Sequence, residues 1–287
     1  METSKGYGGL PKGFDGYEDS EIVVLPVPYD RTSTWLKGSR RGPRAIIEAS
    51  RFMYLYDIDT DSEVYLRGIH TDRPVRVKSS PGAMVEAVRA RVDGHLARGK
   101  FVVTLGGEHS VSVGAVRSYA EKFRDLSVLQ LDAHADLQDE FEGSRYNHAC
   151  AMARVRECCP AVQVGVRSVD AGELSGVDPG SVFFAETMRG GRKWMDEAIA
   201  RLSDRVYLTI DLDFFDVSLM PATGTPEPGG LFWHDTLDFL RRVIAERDIV
   251  GFDVVELCPN RYSKPSDFLA AKLVYILLSH IFKKRTG

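Results

Sequence analysis

The sequence predicts a single α/β domain built on a mainly parallel sheet, and three observations carry this. Seven short runs are almost continuously apolar, as strands covered on both faces must be. Longer amphipathic stretches separate them, so strands and helices alternate along the chain. No repeat, low-complexity tract or linker divides the 287 residues, and 14 Phe, 11 Tyr and 3 Trp supply one large core.

Residues 1–20 are rich in Gly and polar side chains and predict a loose N-terminal arm, with the domain at 21–287. Strands are expected at Ile22–Val27, Phe101–Leu105, Val128–Asp132, Val162–Val166, Val182–Ala185, Val206–Asp211 and Ile249–Val254. The first helix, Met84–Ala97, carries Ala, Val and Leu at helical spacing, with Gly99 as its C-cap. Ser110–Phe123, Trp194–Leu202 and Thr236–Glu246 read the same way. A last helix, Ser266–Lys284, starts at a Ser/Asp cap and ends in Lys283-Lys284-Arg285, which suits the negative end of the helix dipole.

Composition excludes several classes. With 37 Lys+Arg against 41 Asp+Glu, the net charge is −4, which argues against a general nucleic-acid binder. The first residues contain no apolar stretch resembling a signal peptide. The most apolar run, Phe268–Phe282, is interrupted by Lys272, Ser279 and His280 and falls short of the roughly 20 residues of a membrane span. Cys150, Cys158, Cys159 and Cys258 form no CxxC pair and read as reduced thiols, so a cytoplasmic protein is expected.

In a parallel sheet, ligands bind outside the carboxyl ends of the strands. Three segments there are unusual. Gly106-Gly107-Glu108-His109-Ser110 offers a tight turn and then a histidine, which alone could equally be a structural hydrogen-bonder. Asp132-Ala133-His134-Ala135-Asp136 has ligand-type residues at i, i+2 and i+4, one face of an extended segment, unless it is an exposed polar loop. Asp211-Leu212-Asp213 brings two carboxylates together, which repel unless a cation or a proton intervenes or the turn is solvated. Together these provide four carboxylates and two imidazoles. That is too many for one catalytic zinc but suits two divalent ions about 3.5–4 Å apart. Oxygen-rich ligation with some His favours Mn²⁺.

These blocks resemble the signatures of the ureohydrolase family (arginase, agmatinase and relatives). Val27–Asp30 with Gly42–Ile46, Thr223–Gly230 and Asp253–Glu256 extend the resemblance over nearly the whole chain. It implies a three-layer α/β/α domain with a central sheet of about eight strands, assembled as a trimer or hexamer. It further implies two Mn²⁺ ions per subunit. His109, Asp132, Asp136 and Asp211 would hold one, and Asp132, His134, Asp211 and Asp213 the other. The resemblance makes Asp136 an acceptor aiming the nucleophile, Glu256 the guanidinium carboxylate and His148 the proton shuttle, although His148 could instead be a structural residue at a helix start. Thr225, in the Thr223–Gly230 loop, is expected to touch substrate. Glu108 stands where the family commonly has Asp, Val217 where it has Pro and Ala222 where it has Gly. None of these removes a ligand. Asp216 reads as structural.

Leu137–Gly143 is acidic and free of Lys and Arg, which disfavours a substrate carboxylate and favours a small cationic guanidine. Agmatine, hydrolysed to putrescine and urea, is therefore expected. N1-aminopropylagmatine fits the same logic, guanidinobutyrate or arginine fits less well, and formimidoylglutamate fits worst. Two other classes stay open: a catalytically inactive metal-binding relative, and a deacetylase of related fold with one zinc.

Overall fold

A computed structural model describes residues 4–77 and 79–286. The strands are β1 Ile22–Val27, β2 Ile69–Thr71, β3 Phe101–Gly106, β4 Leu126–Leu131, β5 Ala161–Val166, β6 Val182–Phe184, β7 Arg205–Asp211 and β8 Asp248–Val255. The helices are α1 Gly42–Ser50, α2 Pro81–Leu96, α3 Ser112–Lys122, α4 Ala151–Arg156, α5 Ala185–Met188, α6 Lys193–Ala200, α7 Trp233–Glu246 and α8 Pro265–Thr286. All eight strands pair in parallel, in the order β2-β1-β3-β8-β7-β4-β5-β6.

Alternation along the strands sends side chains to opposite faces. Val103, Leu105, Leu129, Leu131, Leu208 and Phe252 join Ala45 and Ile46 of α1, Leu240 of α7 and Leu273 of α8 in one core. Leu25, Val102, Val128 and Tyr207 meet Val88 of α2, Val116 of α3 and Met152 of α4 in the other. The result is three layers, as the resemblance implied.

The order of the sheet positions the site. Sequence takes β3 directly to β4, but β8 and β7 lie between them. The four central strands are therefore β3, β8, β7 and β4, and their ends are level: Leu105 faces Val254, Val254 faces Ile210, and Ile210 faces Leu131. Loops distant in sequence converge at one edge, which is where α/β sheets place ligands.

Differences from expectation have local causes. The edge strand β2 is only three residues long and leaves no apolar run to read. Helix α1 starts at Gly42-Pro43, with Pro supplying a preset φ at the first turn. Helix α2 starts three residues early, where Ser80 accepts a hydrogen bond from the Ala83 N–H (3.2 Å). Helix α8 runs past the expected end. Its Lys284 binds the carbonyls of Ile244 and Arg247, and Arg285 lies 4.9 Å above the Phe101 ring, so the basic turn is a clamp within the fold. Among the described residues, α8 alone is long and apolar enough to cross a membrane. Yet 72% of its most apolar 18-residue window is buried inside the fold, as in a core helix.

The arm is not loose over its described part. Tyr7 and Leu10 are fully buried. The Tyr7 hydroxyl donates to the Ala271 carbonyl of α8 (2.7 Å), and the Gly8 N–H donates to Ser50 Oγ (2.8 Å). An apolar pair hidden in a Gly-rich stretch anchors the segment, and composition alone did not reveal it.

Candidate metal centre

Each ligand-type residue is the last residue of a central strand or sits within five positions beyond its end. After β3, Gly107 lets the backbone pass so close to Tyr29 that an added Cβ would lie 1.9 Å from its carbonyl oxygen. A single 3₁₀ turn, His109–Val111, then points the His109 ring inward. Strand β7 ends at Asp211, which caps the next turn by accepting the Asp213 N–H (2.9 Å). Residues 132–136 do not continue β4 as an extended segment. Asp136 takes φ +53°, so the chain curls and the same-face argument does not hold there. The three side chains nevertheless converge, because the curl turns Asp136 back towards His109.

His109 Nδ1 lies 2.9 Å from Asp132 Oδ2, 3.0 Å from Asp136 Oδ2 and 3.6 Å from Asp211 Oδ2. It is buried and makes no hydrogen bond. An imidazole lone pair facing three carboxylates without a proton in line is the geometry a cation would occupy. A second group forms at the same carboxylate: His134 Nδ1 lies 2.9 Å from Asp213 Oδ2 and 3.6 Å from Asp132 Oδ1. Two ligand triads thus share Asp132: His109–Asp132–Asp211 and Asp132–His134–Asp213. The donor set fits two divalent cations, with Asp136 beside the first.

Further residues orient these ligands. His109 Nε2 meets Thr209 Oγ1 (2.9 Å), whose hydroxyl donates to Asp253 Oδ1 (2.6 Å), and Tyr207 OH donates to Asp253 Oδ2 (2.8 Å). This relay leaves Nδ1 free to ligate. Gln130 Nε2 donates to Asp132 Oδ2 (2.6 Å). Arg167 donates to the carbonyls of Asp213 (2.6 Å) and Glu227 (2.9 Å), tying the β7 turn to the loop that carries Thr225. Asp216, which accepts the N–H groups of Ser218 and Gly229, holds the same loop and touches no ligand.

Crowded carboxyls shift one another. Burial and then Asp132 push Asp136 up to about 6. Burial and then Asp213 hold Asp211 well above the usual range, and burial and then Glu108 do the same to Glu256. Such repulsion is relieved by a cation. Burial, then the positive charges of His134 and His109, bring His148 down to about 4.

Glu256 follows β8 at φ +63° and accepts the His109 N–H (2.8 Å) on Oε1. His148 stands on a single turn capped by Asn147, with Nδ1 3.9 Å from Glu256 Oε1. A cleft of about 430 Å³ opens above the triads, lined by His134, Asp136, His148 and Thr225. So the site residues expected from sequence come together here. A larger cleft, about 770 Å³, lies at the other end of β5 against Arg156, Cys158 and Arg201, away from this cluster.

The acidic stretch Leu137–Gly143 does not work as expected. Asp139 turns away and pairs with Arg145 and Arg154, while Glu140 and Glu142 are exposed away from the cleft. The negative rim comes instead from Asp170 and Glu173, just after β5, which the sequence reading missed. Inspecting the end of every strand would have found them.

The sequence profile of the arginase family matches residues 20–279. An N(1)-aminopropylagmatine ureohydrolase from Synechocystis is 39% identical over 92% of this chain and 90% of its own length. An agmatinase from Pyrococcus horikoshii is 30% identical over 91% and 92%. The crystal structure of the agmatine ureohydrolase of Thermoplasma volcanium superposes with a TM-score of 0.88 at 29% identity, covering all of this chain and 96% of that one. The chain therefore belongs to the arginase family of ureohydrolases, whose members work with two metal ions.

Proposed function

We propose that this chain hydrolyses the guanidinium group of a polyamine guanidine, N1-aminopropylagmatine ahead of agmatine, releasing urea and the free amine. The observation that carries this is the charge of the cleft. Its lining includes Asp136, Asp170 and Glu173 and, among the described residues, no Lys or Arg. A guanidinium at the bottom and one or more ammonium groups towards the rim match that field, whereas a substrate carboxylate would be repelled. The names of the relatives at 39–41% identity favour the aminopropyl-extended substrate, and agmatine remains the second reading.

Two divalent cations, Mn²⁺ by donor type, would activate water for attack on the guanidinium carbon. His109, Asp132, Asp136 and Asp211 would hold one and Asp132, His134, Asp211 and Asp213 the other. The chain's own residues do the rest. Glu256 keeps Oε1 on the His109 N–H and faces Gly224 of the substrate loop with Oε2, so a carboxylate is available for guanidinium N–H groups. Thr225 contributes to the cleft wall. The carbon–oxygen bond forms, the bond to the alkylated nitrogen breaks, and that nitrogen must gain a proton. His148 lines the cleft beside Glu256, so its imidazole is placed to pass a proton to the departing amine. A homo-oligomer belongs to the same proposal. Exposed Phe52, Tyr54 and Ile58 on one segment support it.

The test is urea release by Mn²⁺-loaded protein on N1-aminopropylagmatine, agmatine, arginine and guanidinobutyrate. The highest kcat/KM is expected on the aminopropyl compound. Highest kcat/KM on arginine would refute the charge argument, and no turnover with two metals bound would refute the enzyme reading.

A further inference from the structure

His148 carries a task that needs an aimed ring, yet no side chain holds that ring. Its Nε2 is buried without a hydrogen-bond partner among the described residues, and its Nδ1 is 3.9 Å from the nearest carboxylate oxygen. Its position therefore depends on its backbone. The Asn147 side chain caps the turn by accepting the Ala149 N–H (3.1 Å), which sets the turn's shape but not its place in the site. The contact made by His148 itself is long-range: its N–H donates to Thr32 Oγ1 (3.0 Å), 116 residues away in sequence.

Thr32 is itself held. Its hydroxyl donates to Glu108 Oε1 and its N–H to Glu108 Oε2 (2.7 Å). The Ser33 N–H also donates to Oε2 (3.0 Å), and Ser110 Oγ donates to Oε1 (2.7 Å). Glu108 is fully buried and sits next to His109, at the end of β3. The chain from ligand to proton carrier thus runs His109, Glu108, Thr32, His148, all on short bonds. A threonine hydroxyl suits the middle of this chain because it donates once and accepts once. The adjoining backbone is tied to the ligand loop by the Gln138 N–H on the Ala149 carbonyl (3.1 Å) and the Met152 N–H on the Asp136 carbonyl (3.0 Å), while Thr32 holds the His148 N–H itself.

We propose that Thr32 is a positioning residue, which, fastened by Glu108, registers His148 against the metal-ligand cluster. This rests on the proposed role of His148 in ureohydrolase chemistry. A displacement of about 1 Å in a reacting group can cost up to 100-fold in rate, so losing the hydroxyl should act on kcat rather than on binding.

The experiment compares wild type, Thr32→Val, Thr32→Ser, His148→Asn and the double variant Thr32→Val/His148→Asn as full-length, Mn²⁺-loaded protein. Urea release, metal content and exchange of the His148 backbone amide are measured. Thr32→Val should lower kcat roughly 10–100-fold, with KM changed by less than about 3-fold, metal content unchanged and His148 amide exchange accelerated. Thr32→Ser should stay within about 3-fold of wild type on every readout. In the His148→Asn background, Thr32→Val should cost nothing further, since residues acting as one unit are non-additive. Additive losses, loss of metal or an equal defect in Thr32→Ser would each overturn the proposal. If wild type releases no urea from any guanidine, the proposed activity fails separately. Amide exchange then decides alone, and equal His148 exchange in wild type and Thr32→Val overturns the positioning role.

Discussion

Thr209→Val removes one hydroxyl behind His109 while nearly preserving side-chain volume. The hydroxyl receives His109 Nε2 at 2.9 Å and reaches Asp253 Oδ1 at 2.6 Å, and all three residues are at most 1% exposed. The methyl that replaces it satisfies neither group. Two buried polar atoms therefore lose their partner, one on a carboxylate that keeps Tyr207 OH and Ser112. At about 1–3 kcal/mol for each group stranded, the metal-free protein should lose about 2–6 kcal/mol. For a domain of this size, that lowers Tm by roughly 4–10 °C. Metal affinity should fall further, because the imidazole loses the partner that fixes its tautomer. Such orienting residues are commonly worth about 10–100-fold. Calorimetry of metal-free protein and competitive Mn²⁺ titration of each variant measure the two effects. Stability within 1 °C and Mn²⁺ affinity within 2-fold of wild type would refute the relay. A stability loss with unchanged affinity would show that Thr209 serves packing only.

Three more outcomes are expected. His148→Asn should retain metal and lose roughly 10²–10⁴ in kcat, the usual worth of a proton-transfer group; ligand loss in that variant would show a metal role instead. Asp170→Asn should raise KM for N1-aminopropylagmatine about 3–10-fold and leave arginine less affected, since one rim charge steers a cation. An equal effect on both substrates would assign Asp170 to loop structure. At the arm, His95 bridges Tyr17 OH (2.9 Å) and Asp72 Oδ2 (2.9 Å), with Arg91 on the same carboxylate and His70 against the Tyr17 ring. Burial holds His95 below its ordinary value of 6.5, with Asp72 opposing. The folded state thus binds the proton less well than the unfolded one. The contribution of His95 is complete above about pH 6.5 and is lost as pH falls below it. Proteolysis of residues 14–20 should accelerate between pH 7.5 and pH 5, and His95→Gln should remove the pH dependence. An identical pH profile in that variant would exclude His95 as the cause.

Much of this protein is readable in one dimension, and particular elements show where that stops. Strands β3, β4, β5, β7 and β8 are visible because strands buried on both faces must be apolar throughout. Edge strand β2 has three residues and is invisible. The ligand blocks stand out because carboxylates and imidazoles directly after apolar strands are costly to bury without a cation. Helpers such as Thr32, Thr209, Asp253 and Arg167 do not stand out, because single hydroxyls, carboxylates and guanidiniums are common anywhere. The acidic stretch after Asp136 misled for a related reason: charge composition carries no direction, and Arg145 and Arg154 draw Asp139 away from the cleft.

The sequence by itself determined the strand–helix alternation and the residue types for a two-metal site. The tertiary structure alone decided which strands are neighbours. Periodicity reports which face of a strand is buried but not its position in the sheet, and only the insertion of β8 and β7 between β3 and β4 brings His109, Glu256, Asp211 and Asp132 to one edge. It also decided which carboxylates face the cleft, since that depends on the backbone turn at each residue and on the partners that turn supplies.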